Sequence, residues 1–267
     1  MKSVVVIGGG TGSYTILRGL KNYNLKITAI ATMFDSGGST GMLRDEFGIL
    51  PPGDIRRCLV ALADEREDIL RSLFMFRFED KSSLKGHSFG NLFLAALTKI
   101  TGSETEAIKA ASRILRIKGT VLPVSTDKAD LCAELEDGST VRGEANIDIP
   151  KHDPSMRIKR LYLSPAAKAA REAKDAILSA DMIILGPGDL YTSVISNLVV
   201  EGIPEAIRRS RGMKVYVCNL MTKRGETTGY DAAMHAAEIA KYLGSVPDAV
   251  IVNTGTGPKT LLERYAK

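Results

Sequence analysis

Tryptophan is absent from these 267 residues, and aromatic side chains of all kinds make up only 6%. Stacking platforms for single-stranded nucleic acid need exposed rings, so nucleic acid is not an expected partner. Cysteine is also scarce. Cys58, Cys132 and Cys218 lie far apart, and no Cys-x-x-Cys or Cys/His metal spacing occurs. Each reads as a small buried hydrophobe. No apolar run is long enough to span a bilayer, so no membrane insertion is expected. Met1-Lys2-Ser3-Val4 runs straight into a strand-loop-helix pattern rather than a secretory leader. A cytoplasmic location is therefore expected. Internal repeats, low-complexity tracts and flexible linkers are missing too. The net charge of +5 is mild and is not gathered in a long basic run. It suits a small anionic ligand at least as well as a nucleic acid.

What the chain does have is a series of apolar runs that end in glycine-rich loops. Val4-Val5-Val6-Ile7 is a continuously apolar strand, as expected where both faces of a sheet are covered. Gly8-Gly9-Gly10-Thr11-Gly12 then turns the chain into a helix expected over residues 13–21. Such a turn presents backbone N–H groups to a phosphate. Ser13 stands where the dinucleotide fingerprint has its last glycine, and glycine turns of this kind also serve close packing. The second strand, residues 26–33, leads to Asp35-Ser36-Gly37-Gly38-Ser39-Thr40-Gly41. Asp35 sits where a dinucleotide enzyme holds its ribose-binding acid. The N–H-rich loop after it suits an anion or a metal-bound phosphate better than one ribose, which leaves an NAD(P) oxidoreductase the weakest of the readings.

Leu50-Pro51-Pro52-Gly53-Asp54-Ile55-Arg56-Arg57 is a rigid helix entry. Asp54 is either its N-cap or a ligand contact. Of Arg56 and Arg57, one is expected to reach a phosphate and the other to be a solvated helix charge. Residues 67–78 read as a mixed helix whose Phe74, Phe76 and Phe78 pack rather than stack on a ligand. In Gly86-His87-Ser88-Phe89-Gly90-Asn91-Leu92, Ser88 caps an apolar helix, with His87 and Asn91 at its mouth. Ser103-Glu104-Thr105-Glu106 is a capping box.

Residues 117–163 change character. Residues 131–136 alternate, Asp137-Gly138 is a hairpin turn, residues 140–149 return, and residues 157–163 alternate again. This is a β-rich insertion. Ser164-Pro165 reads as the start of an Ala-rich helix. A buried strand over 180–185 ends in Gly186-Pro187-Gly188-Asp189, and residues 194–210 are helical with a break near Gly202 and Pro204. Residues 214–218 form a strand ending in Asn219-Leu220-Met221-Thr222, with Arg224-Gly225-Glu226 beyond. A helix containing His235 and a last strand over 249–252 follow. The expected fold is one α/β domain over 1–267: a Rossmann-like, doubly wound, mostly parallel sheet with a β-rich insertion at about 117–163. The strand-end loops should meet at one rim.

The ordered series of motifs resembles one family. These motifs are Gly8-Gly9-Gly10-Thr11-Gly12, Asp35-Ser36-Gly37-Gly38-Ser39-Thr40-Gly41, Pro52-Gly53-Asp54-Ile55-Arg56 and Gly86-His87-Ser88-Phe89-Gly90-Asn91-Leu92. Gly186-Pro187-Gly188, Leu190-Tyr191-Thr192-Ser193, Asn197-Leu198, Asn219-Leu220-Met221-Thr222 and Gly225-Glu226-Thr227 continue it to about residue 255. The family contains gluconeogenesis factors of the YvcK type and CofD, the 2-phospho-L-lactate transferase of deazaflavin-coenzyme synthesis. The later motifs look more like the YvcK branch.

That resemblance implies a regulatory protein that binds a UDP-sugar such as UDP-N-acetylglucosamine, or a related phosphorylated metabolite. Such proteins support cell-wall synthesis and cell shape during gluconeogenic growth. In this reading Gly9, Gly10, Thr11 and Gly12 hold the diphosphate, with Gly188 on the neighbouring loop. Asp35, Gly37, Gly38, Ser39, Thr40 and Arg56 contact ribose, phosphate or a cation. His87, Ser88 and Asn91 line the helix mouth, and Asn219, Thr222 and Glu226 meet sugar or base. The alternative is a CofD-like transferase moving a phospholactyl-type group from a nucleotide diphosphate donor. Asp35 would then hold Mg²⁺, and His87 or Asp54 would act as base. Otherwise no cofactor is expected. A homodimer is the expected assembly. The chain departs from the family pattern at Ser36, Asp189, Ser196 and Lys223-Arg224. Many members carry a second acid, Ser, Pro and Gln-Pro at those places. Longer members also continue past the position of Tyr265 with an Arg-His-Asp motif, which leaves part of the expected UDP-sugar contact outside this sequence.

Overall fold

The Val-rich run forms strand β1 (Lys2–Ile7), and its last four residues are buried. In the computed structural model residues 1–49, 53–64, 66, 68–79, 83–255, 257, 258 and 260 are described. After β1 come α1 (Gly10–Leu20), β2 (Leu25–Ala31), α2 (Gly38–Phe47), α3 (Gly53–Leu62), α4 (Asp68–Met75), α5 (Phe89–Thr101), α6 (Glu104–Ile114) and β3 (Thr120–Pro123). The middle of the chain holds β4 (Asp130–Leu135), β5 (Thr140–Arg142), α7 (Glu144–Asp148) and β6 (Ile158–Ser164). Then follow α8 (Arg171–Leu178), β7 (Met182–Leu185), a wide π-helical turn (Leu190–Ile195), α9 (Ser196–Leu198), α10 (Ile203–Arg209), β8 (Met213–Val217), α11 (Ala232–Leu243) and β9 (Ala249–Ile251).

Six strands pair in parallel in the order β3-β2-β1-β7-β8-β9, a Rossmann-like doubly wound sheet. Period-two alternation splits the sheet's side chains between two cores. Val4, Val6, Ile27 and Ala29 join one buried cluster with α3 residues such as Leu59. Val5, Ile7, Ile30 and Ile183 join the other. Leu131, Ala133, Leu161 and Leu163 of the small antiparallel sheet, ordered β5-β4-β6, belong to that second cluster too. Cys58, Cys132 and Cys218 are free and buried.

Several sequence expectations are corrected. Helix α1 begins at Gly10, ahead of the expected residue 13, because Gly10 takes a φ of +65° that lets the turn run straight into the helix. The β-rich insertion starts later than 117, since β3 pairs with β2 as the edge of the main sheet. The return after Asp137-Gly138 lasts only three residues, Thr140–Arg142. Gly143, at φ +93°, then turns the chain into α7. The Ala-rich helix starts at Arg171, not at Ser164-Pro165, because residues 168–170 first bridge to Glu201 and Val124. The helix expected over 67–78 ends at Met75, and Phe76 and Phe78 pair instead with the chain at Phe89 and His87. In the 103–106 box Ser103 does accept from Glu106 N–H, but Glu106 pairs with Lys109 instead of reaching back. Leu50, Pro51, Pro52 and Glu67 lie outside the described residues.

Candidate active site at the sheet rim

The loops that leave the carboxyl ends of β1, β2, β7 and β8 surround a cleft of about 460 Å³. It opens where β1 is flanked by β2 on one side and β7 on the other, the switch point of this topology.

At the first glycine loop the anion is already supplied. Helix α1 has no side-chain cap of its own. Instead Asp54 Oδ1, from the first turn of α3, accepts the Gly10 N–H at 2.8 Å. Asp54 is thus not the cap of its own helix but a tertiary anion at the N-terminus of α1, where the helix dipole favours negative charge. Burial nevertheless raises its pKa to about 6, with Asp35 adding to the rise and Arg57 and Arg56 opposing it. Gly9 must be glycine for a steric reason: a Cβ there would sit 1.9 Å from Asp54 Oδ2. Gly12 faces a neighbouring loop, since its Cβ would meet Pro187 O at 2.4 Å.

The third motif props up the second loop. His87 Nδ1 and Ser39 Oγ are 3.1 Å apart, and Asn91 Nδ2 donates to Thr40 Oγ1 at 3.2 Å. Ser88 caps α5 by accepting from Asn91 N–H, as its sequence position suggested. Asn91 Oδ1 accepts from Arg56 Nε at 2.9 Å, and Arg56 also donates to Phe74 O. Burial first, then Arg57 and Arg77, lower the Arg56 pKa to about 10. The three arginines are therefore close enough to repel one another on one wall of the cleft. The chain at 76–78 is held beside 86–89 by backbone pairing, which brings Arg77 to that wall.

Carboxylates line the rest of the cleft. Helix α7 is pinned to the second loop, because Ser36 Oγ accepts from Ala145 N–H at 3.1 Å. Glu144 stands beside Asp35, since a Cβ at Gly37 would meet Asp35 Oδ1 at 3.4 Å and Glu144 Oε2 at 4.0 Å; burial, then the charges of Asp35 and Asp148, push the Glu144 pKa up. Lys223 pairs with Asp148, with Asp189 at 2.7 Å and with Glu226 at 3.1 Å. Glu226 is buried, and accepts from Tyr191 N–H and Thr192 Oγ1, both at 3.1 Å.

Of the residues expected from sequence, Gly10, Asp35, Gly37, Gly38, Ser39, Thr40, Asp54, Arg56 and Asn91 line the cleft together. Gly9, Gly12, His87, Ser88 and Glu226 sit behind that lining, as supports. Gly188 N–H is bonded to Asn219 Oδ1 at 3.2 Å, while Thr11 and Thr222 are exposed and outside the lining. Sequence reasoning missed Glu144, Asp148, Arg77 and Thr32. The signal for the first two was the Gly143 that breaks the alternation ahead of an acidic helix start.

The neighbouring carboxyl groups of Asp35 and Glu144 suit a hard divalent ion, which takes carboxylate oxygens. Asp148, Asp189 and Glu226 also bring ligand oxygens within 4.8 Å of one another, but there the Lys223 ammonium is already bonded to all three.

The fold and cleft define a Rossmann-like protein whose strand-end loops meet at one cleft lined by arginines and carboxylates. Residues 4–267 match the family model of 2-phospho-L-lactate transferase CofD. The chain is 50% identical over 265 residues to a putative gluconeogenesis factor of Thermotoga maritima, covering 99% of this chain and 82% of that protein. It is 48% identical over 268 residues to the gluconeogenesis factor of Halalkalibacterium halodurans, covering 100% and 82%. A crystal structure of a Bacillus halodurans protein superposes with a TM-score of 0.94 at 46% identity, covering 100% of this chain and 85% of that one. The chain belongs to the CofD family. Among the described residues no helix is long and apolar enough to cross a membrane.

Proposed function

We propose that this chain is a cytoplasmic gluconeogenesis factor that binds a UDP-sugar such as UDP-N-acetylglucosamine and regulates cell-wall synthesis and cell shape during growth on gluconeogenic carbon. The observation that carries the reading is the mixed lining of the cleft. Arg56, Arg57 and Arg77 supply a wall for a diphosphate, next to the N-terminus of α2. Asp148, Asp189, Thr192 and Ser193 supply hydrogen-bond partners for sugar hydroxyls. The relatives named gluconeogenesis factor support the physiological part.

Two of the three candidate catalytic groups are engaged in holding loops, Asp54 on Gly10 and His87 on Ser39. That favours binding over transfer. Mg²⁺ would be held by Asp35 with Glu144 and would neutralise charge on the diphosphate. Calorimetric titration with UDP-N-acetylglucosamine, with and without Mg²⁺, tests the reading when the recovered ligand is then analysed. Saturable binding with intact ligand is expected. Metal-dependent release of nucleotide monophosphate would instead establish the transferase.

A further inference from the structure

We propose that the Lys223 ammonium is a resident counter-cation that takes the place of a divalent ion at the acidic wall, and that it thereby reserves this wall for neutral hydroxyl groups. Its three partners come from three separate segments. Asp148 closes α7, Asp189 follows β7, and Glu226 follows β8. The ammonium hydrogen-bonds Asp148 and Asp189 and stands 3.1 Å from Glu226 as an ion pair, so its neighbours within ion-pair distance are carboxylates. Lys223 lines the cleft, but its charge is already balanced by three carboxylates, which compete with any ligand phosphate for it.

The wall keeps an excess of negative charge over its one ammonium, and its unused atoms are acceptor oxygens. A phosphate is repelled there and drawn to the arginine wall. A divalent ion finds its ligand oxygens taken by a group that cannot leave the chain. Hydroxyl groups, which donate to carboxylate oxygens, are the chemistry that remains. The occupancy of this wall stands on the geometry alone; the orientation it imposes, diphosphate towards Arg57 and sugar towards Asp148 and Asp189, rests on the proposed function.

The test is a Mn²⁺ titration of the full chain at neutral pH, counting bound ions by electron paramagnetic resonance. Lys223→Met should bind one more Mn²⁺ per chain than the parent, with a dissociation constant of roughly 10⁻⁴–10⁻³ M, the weak end of carboxylate sites. Lys223→Arg keeps the charge and should gain none. The double variant Lys223→Met/Asp189→Asn should lose the extra ion again. An unchanged count in Lys223→Met, or a gain in Lys223→Arg, overturns the proposal. Should Lys223→Met not fold alone, millimolar Mn²⁺ is expected to restore its yield, and no restoration counts against the idea. UDP-N-acetylglucosamine is titrated into the parent in parallel. An extra Mn²⁺ without sugar-nucleotide binding keeps this inference and removes the proposed function; sugar-nucleotide binding without the extra Mn²⁺ does the reverse.

Discussion

Asp54 Oδ1 accepts the Gly10 N–H at 2.8 Å, so a carboxylate from α3 occupies the helix end that a ligand phosphate would otherwise use. The same contact leaves no room beside Gly9, whose Cβ would stand 1.9 Å from Asp54 Oδ2. Gly9 has φ −152°, which any residue adopts, so the penalty of a side chain is steric and not conformational. Gly9→Ala should therefore cost about 1–3 kcal/mol of unfolding free energy. In an Asp54→Ala background the same substitution should cost less than about 1 kcal/mol. Urea denaturation of the four-member cycle decides this. Additive costs would mean that Gly9 is kept for another reason.

Asn91 is the joint between the second loop and the arginine wall. It accepts from Arg56 and donates to Thr40, and all three are buried. Asn91→Ala leaves a buried guanidinium N–H without its acceptor, a loss of about 2–4 kcal/mol. Asn91→Asp restores an acceptor for Arg56 but no donor for Thr40, and should fall between the two. Equal stability of Asn91→Ala and Asn91→Asp would show that the Arg56 contact contributes little.

The two networks also explain what was legible in the sequence. Parallel strands were readable because β1 from Val4 and β7 from Ile183 are buried on both faces and are apolar throughout. The glycine loops were readable because tight turns and close contacts restrict residue type. Gly9 and Gly12, however, are fixed by Asp54 and Pro187, and no local pattern separates a glycine that meets protein from one that meets ligand. Helix α7 has five residues, too few for a periodic signal, yet it carries Glu144 and Asp148 into the cleft. Arg77 reaches the same cleft through pairing with the 86–89 segment, a tertiary event that its neighbours in sequence do not announce.

Ser36 replaces an acid expected at that place, and in the structure it serves as a latch. Its Oγ accepts from Ala145 N–H at 3.1 Å. Ser36→Ala should weaken the docking of α7 by about 1 kcal/mol. Amide exchange across residues 144–148 should then speed up roughly fivefold, with the core strands unaffected. Unchanged exchange in that helix would show that Lys223 and Glu144 hold it without Ser36.

Glu226 gives stability a pH dependence of definite sign. Burial, against the pull of Lys223, raises its carboxyl from 4.5 to about 7. The folded state therefore binds the proton more tightly than the unfolded state. That contribution is complete below pH 4.5 and is lost as pH rises through about 7. It amounts to about 3 kcal/mol at most. Glu226→Gln keeps an acceptor for Tyr191 N–H, turns its amide N–H towards the Thr192 hydroxyl, which can accept, and cannot titrate, so its stability between these pH values should run flatter than the parent's. Parallel curves for the two proteins would place the titrating group elsewhere.

Arg56 and Arg57 are adjacent in sequence, but their surroundings give them different work. Arg56 is 4% exposed and is held by Asn91 and Phe74 O, so Arg56→Ala should destabilise the fold as Asn91→Ala does. Arg57 lies on the cleft, with Nη1 3.7 Å from where a Gly10 Cβ would be. Its charge presses on Arg56, one cause of that residue's lowered pKa. Arg57→Ala relieves this repulsion but also removes a charge that steadies the buried Asp54 carboxylate, so the two effects offset and stability should change little. Affinity for UDP-N-acetylglucosamine should fall about tenfold or more, the loss of one charge-assisted contact. Because the lost term is electrostatic, raising the salt concentration should weaken the parent more than the variant. Binding by Arg57→Ala that equals the parent at every salt concentration would remove the arginine wall from the account of how this cleft holds a diphosphate.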